Sequence, residues 1–339
     1  MSAASKENIP DLIHLVIGGA GFIGSALSKR LLEDHEHVIV VDNNLSGRVE
    51  IERNTHPAST YVILESEVQR SDLPSILRSH ISEMKVVIWH LAANSDIQAG
   101  ATSPSLDLQN TLGSTLGVLN LMSQLNVISV YFASTSAVYG NLVESNFSKE
   151  SDVCNPISYY GAMKLASEHL LNISAERASV PLTIFRFANI VGTPSTHGVI
   201  HDFIEKLSCK AEKLDVLGDG SQSKTYLHVQ QLVDMMLCAH KQGLQGVYNL
   251  GPGDNGIEVR RIVEILSEHY NHKFSTSYQS SAQGWPGDVV TSRMEISKAK
   301  RDIPVMAVSS LQSVHMALHD ILAAKSIAHN CAENFELKS

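Results

Sequence analysis

A glycine-rich turn between an apolar run and a helical pattern is the feature that most restricts how this chain can fold. Residues 15–24 read Leu-Val-Ile-Gly-Gly-Ala-Gly-Phe-Ile-Gly, so glycines stand at positions 18, 21 and 24. In a strand–turn–helix unit the first glycine permits the tight turn, the second lets a pyrophosphate approach the backbone, and the third lets the helix pack closely on the strand. The free N–H groups of the helix start then face the phosphates. We therefore expect a dinucleotide site that includes Gly18, Gly21, Phe22, Ile23 and Gly24.

The order of elements after this turn predicts an α/β fold. Uniformly apolar runs, typical of buried parallel strands, alternate with longer helical patterns, which favours a Rossmann-type doubly wound parallel sheet. The predicted strands are Leu12–Ile17, Val38–Val41, Tyr61–Leu64, Val86–His90, Ile128–Ala133 and Leu182–Phe187. The predicted helices are Phe22–Glu33, Asp72–His80, Ser105–Leu125, Ser158–Ala178 and Gln231–His240, the last followed by a strand at Val247–Leu250 that rejoins the sheet.

Loop-forming residues become frequent after about Asn189, which indicates a second lobe. We expect a dinucleotide-binding Rossmann domain at 10–188 plus about 227–252. A smaller, discontinuous α/β substrate-binding lobe is expected at 189–226 plus about 253–325, with tails at 1–9 and 326–339.

An acidic residue ends the second predicted strand. Asp42 follows the glycines by about twenty residues, where a carboxylate accepts hydrogen bonds from both hydroxyls of the adenosine ribose. A carboxylate there also repels a 2′-phosphate. The expected cofactor is therefore NAD and not NADP.

A tyrosine and a lysine indicate acid–base chemistry. Tyr160 and Lys164 stand four residues apart on a predicted helix and hence on one face. A tyrosine with a pKa near 10 is a poor base at neutral pH, but a neighbouring cation favours its phenolate. The hydroxyl-rich segment Ser134–Ser136 follows the fifth predicted strand, at the sheet edge where cofactors and substrates meet.

Together these motifs resemble the extended short-chain dehydrogenase/reductases, the family of NAD-dependent epimerases and dehydratases similar to UDP-glucose 4-epimerase. The resemblance runs from about Leu12 to Ala299 and includes His90-Leu91-Ala92-Ala93, the structural Asn110 and Val138-Tyr139-Gly140. One departure is Ser66-Glu67-Val68, where the family usually has Gly-Asp followed by Val or Ile. Besides the glycine turn, the resemblance implies NAD contacts from Asp42, Asn43, Asn44, Ser46, Gly47, Glu67, Val68, Leu91, Ala92, Ala93, Asn110, Ser134, Tyr160, Lys164 and Phe187.

The resemblance also implies the reaction. Thr135 is expected to hydrogen-bond the reacting sugar oxygen, while Tyr160 removes its proton and Lys164 binds the nicotinamide ribose. Ser136 and Ala137 replace the acids that 4,6-dehydratases carry after this threonine, and Ala137 replaces the glutamate of the decarboxylases. This favours a nucleotide-sugar 4-epimerase. A 4,6-dehydratase, a 4-ketoreductase and a non-catalytic NAD-binding regulator remain alternatives, the last disfavoured by the complete catalytic set.

The second lobe resembles the substrate-binding part of the same family. It implies that a nucleotide sugar, with UDP favoured, contacts Ser95, Thr135, Ser136, Asn189, Val199, Lys224, Tyr226, Asp288 and Ser292. Lys224-Thr225 stands where the family usually has Arg followed by Asp, and Trp285 stands where many 4-epimerases carry Arg. A lysine keeps the charge without the bidentate fork of arginine. Ser292 falls near the position that gates the 2-substituent of the sugar, where a small residue leaves room for an N-acetyl group.

Composition excludes several other classes. The net charge is −9 without a Lys/Arg-rich block, so no nucleic-acid partner is expected. No apolar run is long enough to cross a bilayer, and the polar N-terminus does not read as a signal peptide. The four cysteines are far apart, which favours a cytoplasmic location. His315 and His319 are four residues apart without the glutamate of a zinc-protease helix, so no metal is expected. By the resemblance, the helices Ser105–Leu125 and Ser158–Ala178 form a homodimer interface.

Overall fold

The computed structural model describes residues 12–45, 61–94, 96–141, 147–208, 212–269 and 274–336, and the side chains of its last helix as far as residue 325. The predicted site residues Ser46, Gly47 and Ser95 lie outside these ranges. Within them, no helix is both long enough and apolar enough to cross a lipid bilayer.

Fourteen strands are present in the described ranges. Seven of them were predicted, with bounds that match within two residues at each end, and the other seven were not predicted. The strands are β1 (Leu12–Ile17), β2 (Val38–Asp42), β3 (Tyr61–Glu65), β4 (Lys85–His90), β5 (Val127–Thr135), β6 (Leu182–Phe187), β7 (Asn189–Val191), β8 (Lys213–Val216), β9 (Ser223–Lys224), β10 (Tyr226–His228), β11 (Gly246–Leu250), β12 (Ile257–Glu258), β13 (Ser275–Tyr278) and β14 (Thr291–Ser292).

Seven of these strands form the central sheet, in the order β11-β6-β5-β4-β1-β2-β3. The pairs β1–β2, β1–β4, β4–β5 and β6–β11 are parallel, which confirms the predicted doubly wound sheet and the return of β11 to it. Because β1, β4 and β5 run in the same direction, the residues that follow β1 and β4 and the last residue of β5 lie at one edge of the sheet. This is the edge at which ligands bind in open α/β sheets.

The helices of the described ranges connect these strands. They are α1 (Phe22–Glu33), α2 (Leu73–Ile81), α3 (Ile97–Thr102), α4 (Pro104–Asp107), α5 (Gly113–Gln124), α6 (Tyr159–Ala178), α7 (Val199–Ser208), α8 (Val229–Lys241), α9 (Val259–His269), α10 (Ser297–Asp302) and α11 (Ser310–Glu336). A 3-10 helix covers Ser136–Tyr139 and a π-helix covers Leu108–Leu112.

The prediction of one continuous helix at Ser105–Leu125 is wrong. The chain instead passes from α4 through the π-helix into α5. A π turn widens the helix by bonding residues five apart, as is frequent at functional sites. It leaves the apolar periodicity of the flanking turns intact, so the sequence pattern does not reveal it.

The chain divides into two compact units. The first comprises the described residues of Met1–Ala92, Gly113–Phe132 and Leu170–Leu182. The second comprises those of Ala93–Leu112, Ala133–His169 and Thr183–Ser339. The predicted domains, at 10–188 plus 227–252 and 189–226 plus 253–325, were defined by the ligand that each binds and stay a prediction.

The second unit has an apolar core of its own. Buried side chains from α7, α9 and α11 pack together with those of β7, β8 and β10. Leu214 and Ala317 at its centre are fully buried. Three of the elements that form this core, β7, α7 and β10, carry the predicted substrate residues Asn189, Val199 and Tyr226.

Candidate active site

The glycine turn has the close backbone contacts that its sequence predicts. Gly18 has φ +81°, and a Cβ there would lie 2.6 Å from the backbone nitrogen of Ala92. A Cβ on Gly24 would lie 2.1 Å from the carbonyl oxygen of Gly18. Both contacts are too short for any side chain. The first turn of α1 therefore begins directly against the backbone after β1, with Gly21 as its N-cap.

Asp42 stabilises this turn from the neighbouring strand. Its Oδ2 accepts from the Ala20 N–H at 2.9 Å, and its Oδ1 accepts from the Asn44 N–H at 2.8 Å. Beside it, the Asn43 amide donates to both oxygens of Glu67, at 3.1 and 3.2 Å. Two carboxylates thus lie where the ribose and adenine of a dinucleotide are expected. The side-chain-free turn and these acceptors fit NAD.

The end of β4 is anchored beside the same turn. The Leu91 N–H donates to the Ile17 carbonyl at 2.9 Å, and the Ser114 hydroxyl donates to the Ala92 carbonyl at 3.1 Å. His90 Nε2 lies 2.9 Å from the Thr115 hydroxyl. These contacts place Leu91 and Ala92 next to Gly18, as the cofactor prediction requires.

The predicted catalytic residues lie together in the second unit. Thr135 is the last residue of β5, and its side chain is hydrogen-bonded to Tyr160. The Lys164 ammonium donates to the Ala133 carbonyl at 2.6 Å and lies 5.8 Å from the centre of the Tyr160 ring. The Thr135 hydroxyl also accepts from the Ala137 N–H at 3.1 Å, which orients it.

Burial sets the protonation of the tyrosine and the lysine. It raises the pKa of the Tyr160 phenol well above its usual value; the charge of Asp107 raises it further and the Thr135 hydrogen bond lowers it. Burial lowers the pKa of Lys164 to about 7, against the charge of Glu168, which raises it. The lysine is thus a cation close to its neutral form, and the phenolate needs additional positive charge to form.

Asp107 is a buried acid that the sequence reasoning missed. Its side chain is fully buried at the end of α4, and its Oδ1 accepts from the Asn94 amide at 2.9 Å. Burial raises the pKa of this carboxyl. The available signal was an aspartate between Leu106 and Leu108 in a helical pattern. Its importance depends on its proximity to Tyr160, which the sequence does not show.

The structure brings several predicted substrate residues together. Lys224 Nζ lies 2.6 Å from Asp288 Oδ1 and 5.2 Å from the centre of the Trp285 ring. The Ser292 hydroxyl donates to the Ser136 hydroxyl at 3.2 Å. Lys224 thus has a carboxylate partner of its own, and Ser292 adjoins the catalytic strand end.

Other predicted ligand residues hydrogen-bond or pack against neighbouring protein groups. The Asn189 amide donates to the Thr225 carbonyl at 3.3 Å. Tyr226 lies within the apolar core of the second unit, and Val199 packs against that core. Phe187 is buried in β6, and Asn110 lies in the π-helix. Their ligand contacts stay predictions.

Comparison with known proteins identifies similar chains. A family model described as "NAD dependent epimerase/dehydratase family" matches residues 14–251. A UDP-glucose 4-epimerase of Halalkalibacterium halodurans is 28% identical over 300 residues, which cover 82% of this chain and 86% of that protein. The crystal structure of UDP-glucose 4-epimerase from Thermotoga maritima with UDP-glucose is similar with a TM-score of 0.79 and 27% identity, and that of MoeE5 with UDP-glucose and NAD with 0.78 and 25%. Each covers 92% of this chain and 99% of the other.

Proposed function

Because the chain belongs to the NAD-dependent epimerase/dehydratase family, we propose that it is a nucleotide-sugar epimerase that inverts C4 of a UDP-linked hexose through a transient 4-keto sugar. The observation that carries this proposal is the cluster of Thr135, Tyr160 and Lys164, with Ser136 and Ala137 and no acid directly after the threonine. This set performs proton transfer at one carbinol, whereas elimination of water needs a further acid and base. The UDP-sugar ligands of similar enzymes support the choice of substrate.

The glycine turn and Asp42 are the residues that would hold NAD. The turn offers backbone N–H groups to the pyrophosphate, and the two carboxylates beside it disfavour a 2′-phosphate. NAD bound there supplies the hydride acceptor and donor of the reaction. No net oxidation results, so the protein needs no second redox substrate.

Three side chains handle the proton. Thr135 holds the reacting sugar hydroxyl, and Tyr160 takes its proton as the carbon is oxidised. The Lys164 ammonium stabilises the phenolate form of Tyr160. When the carbon is reduced from its other face, Tyr160 returns the proton to the sugar oxygen.

The sugar-nucleotide side has two unusual features. Lys224 is paired with Asp288 and stacked against Trp285. Asp288 therefore partly neutralises the positive charge that Lys224 offers to a diphosphate. Ser292 is small and adjoins Ser136, which leaves space for an N-acetyl group at C2. We propose that acetylated hexoses are accepted. Equal loss of turnover for acetylated and plain sugars in Ser292→Tyr would contradict this.

Assembly and location complete the proposal. The similarity to extended short-chain dehydrogenases supports a homodimer through the surfaces of α5 and α6, and the dispersed cysteines support a cytoplasmic location.

The function is tested by an NMR time course of the purified protein with UDP-glucose, UDP-N-acetylglucosamine and UDP-glucuronate, without added cofactor. A new anomeric signal of the C4 epimer is the expected result, and it also identifies the sugar. A 4-keto-6-deoxy signal would establish the dehydratase instead. No change with any of the three sugars would refute C4 epimerisation of the common UDP-hexoses.

A further inference from the structure

A buried cluster of four side chains lies beside the catalytic residues. Arg186 donates to both oxygens of the Glu168 carboxylate, from Nε to Oε1 at 3.0 Å and from Nη2 to Oε2 at 2.7 Å. The Ser134 hydroxyl donates to the same Oε1, and Arg186 Nη1 donates to the Tyr139 hydroxyl at 3.0 Å. Ser134, Tyr139, Glu168 and Arg186, here named the carboxylate cluster, are each at most 6% exposed.

Glu168 connects the two elements that carry the catalytic groups. It stands on α6 one turn after Lys164, so both side chains share a face of that helix. Its partner Ser134 lies in β5 between Thr135 and Ala133, the residue whose carbonyl accepts from the Lys164 ammonium. The Glu168 carboxylate therefore hydrogen-bonds the end of β5, which carries Thr135. Glu168 is itself a residue of α6, which carries Tyr160.

Resting on the proposed function, we propose that Glu168 is a positioning residue: it holds the end of β5 against α6 and supplies the anion that keeps the Lys164 ammonium charged beside Tyr160. Arg186 in turn holds the Glu168 carboxylate in place through two hydrogen bonds, one to each of its oxygens. The cluster thus acts on the reaction through Lys164 and touches no substrate.

The need for this anion follows from the burial of Lys164. Burial lowers the pKa of its ammonium to about 7, and the charge of Glu168 is what raises it. A phenolate with an ammonium and a phenol with a neutral amine contain the same number of protons, so pH alone does not select between them. An anion near the lysine favours the phenolate–ammonium form, which is the active one.

Other charged groups border this arrangement. Tyr160 lies on α6, Arg186 on β6 and Tyr139 in the 3-10 helix, and Cys154 precedes α6. Glu150 acts on Tyr139, and Asp107 acts on Tyr160. Of these groups, Glu168 is the one whose charge raises the pKa of Lys164.

Titration of Lys164 tests the proposal without any substrate. Protein labelled with ¹³C at lysine Cε is titrated by NMR, and the Lys164 resonance is assigned as the one missing from Lys164→Arg. In the parent protein we expect this resonance to titrate near pH 7, because burial lowers the pKa of Lys164 to about 7. In Glu168→Gln we expect its midpoint to fall by about one pH unit, from the loss of one nearby charge.

Two further variants make the result decisive. Glu168→Gln together with Arg186→Gln removes the carboxylate together with its guanidinium partner, so it carries the test if the single variant does not fold. A smaller fall in the same direction is expected, because the double variant also loses the Arg186 cation that opposes the Lys164 charge. Tyr139→Phe removes a hydroxyl from the carboxylate cluster and no charge, so an unchanged midpoint is expected. An unshifted midpoint in the Glu168 variants, or an equal shift in Tyr139→Phe, overturns the proposal.

Steady-state kinetics test whether the charge of Glu168 affects catalysis. In Glu168→Gln kcat is expected to fall at least about tenfold, the factor that corresponds to one pH unit in the lysine midpoint, with little change in KM. In the double variant the fall in kcat is expected to be smaller, in step with its smaller midpoint shift. An unchanged kcat alongside a shifted lysine midpoint would overturn the catalytic part of the proposal. If the parent protein turns over no UDP-sugar, the proposed function fails, whereas the NMR titration still decides what Glu168 does to Lys164.

Discussion

At the scale of single residues, the environment of each ionisable group decides its role. Tyr160 and its neighbour Tyr159 have the same chemistry, but Tyr160 is hydrogen-bonded to Thr135 whereas Tyr159 is half exposed to solvent. The acid Asp107 is buried, whereas Asp72 is paired with Arg70 at the surface. Position in the fold therefore distinguishes the proposed base Tyr160 from its neighbour Tyr159, and the buried Asp107 from the surface Asp72.

Tyr160→Phe is expected to lower kcat about 10²- to 10⁴-fold, the usual contribution of a general acid–base group. The ring is retained, so the melting temperature and bound NAD should change little. Tyr159→Phe is the matched control and is expected to keep full turnover. The NMR assay with UDP-sugars measures both. Comparable loss in the two variants would show that Tyr160 is not the base.

Asp107→Asn is expected to stabilise the fold increasingly as pH rises. Burial raises the pKa of the Asp107 carboxyl, so its protonated form is the one that the fold favours. Its contribution is therefore fully present below the unfolded pKa of about 4 and is lost as pH rises through the folded value. Asparagine resembles the protonated acid. Urea unfolding should show a higher free energy of unfolding for the variant than for the parent protein at pH 7, and a smaller difference at pH 4. Equal differences at the two pH values would contradict a raised pKa for Asp107.

At the scale of elements, two glycines of one turn differ in function: close packing requires Gly24, whereas Gly21 is expected to leave room for a ligand. Gly24 of α1 lies against the Gly18 carbonyl and has no room for a Cβ, whereas a Cβ on Gly21 would find that carbonyl at an ordinary 3.4 Å. Both glycines are visible in the sequence as one motif. Their separate roles depend on distances that the motif does not contain.

Gly24→Ala is expected to destabilise the protein by about 1–3 kcal/mol, because the methyl group must displace the backbone of the turn. Gly21→Ala is expected to keep the melting temperature of the NAD-free protein but to lower NAD affinity, since the methyl group faces the approaching pyrophosphate. Thermal unfolding and calorimetric titration with NAD separate the two. Normal NAD binding by Gly21→Ala would show that the pyrophosphate lies elsewhere.

The sequence predicts the strands of the central sheet well, but it predicts the interruptions of helices and the elements of the second unit poorly. Uniformly apolar runs located the strands of the central sheet, because burial on both faces leaves a clear pattern. The π-helix at Leu108–Leu112 and the short α3 were missed, and so were the regular helices α7 and α9 of the second unit. The π-helix and the end of α4 contact Asn94, whose backbone N–H and side-chain amide donate to Thr111 and Asp107.

At the scale of the whole molecule, the chain has exposed apolar side chains on the two helices of the proposed homodimer interface. Leu116 on α5 and Ile173 on α6 are about half exposed. Such apolar side chains on the two helices predicted to pair are consistent with a covered face in a dimer.

Static light scattering at micromolar concentration is expected to give twice the chain mass. The double variant Leu116→Glu/Ile173→Glu should scatter as a monomer, because two buried carboxylates per chain oppose the contact. Met306→Glu is the control, since Met306 is highly exposed but lies on neither helix. A monomer in the parent protein would end the dimer proposal.

The sequence by itself determined the parallel α/β sheet and the glycine turn, and it predicted the acid proposed to select NAD and the proposed catalytic set of Thr135, Tyr160 and Lys164, because each depends on residue type at a fixed spacing along one or two elements. The sequence did not show which charged side chains form ion pairs with each other. The pairing of Glu168 with Arg186, that of Lys224 with Asp288 and the burial of Asp107 join residues far apart in the chain. Only the tertiary structure decided these contacts, because electrostatic strength depends on distance and on the exclusion of water, and both arise when the elements pack.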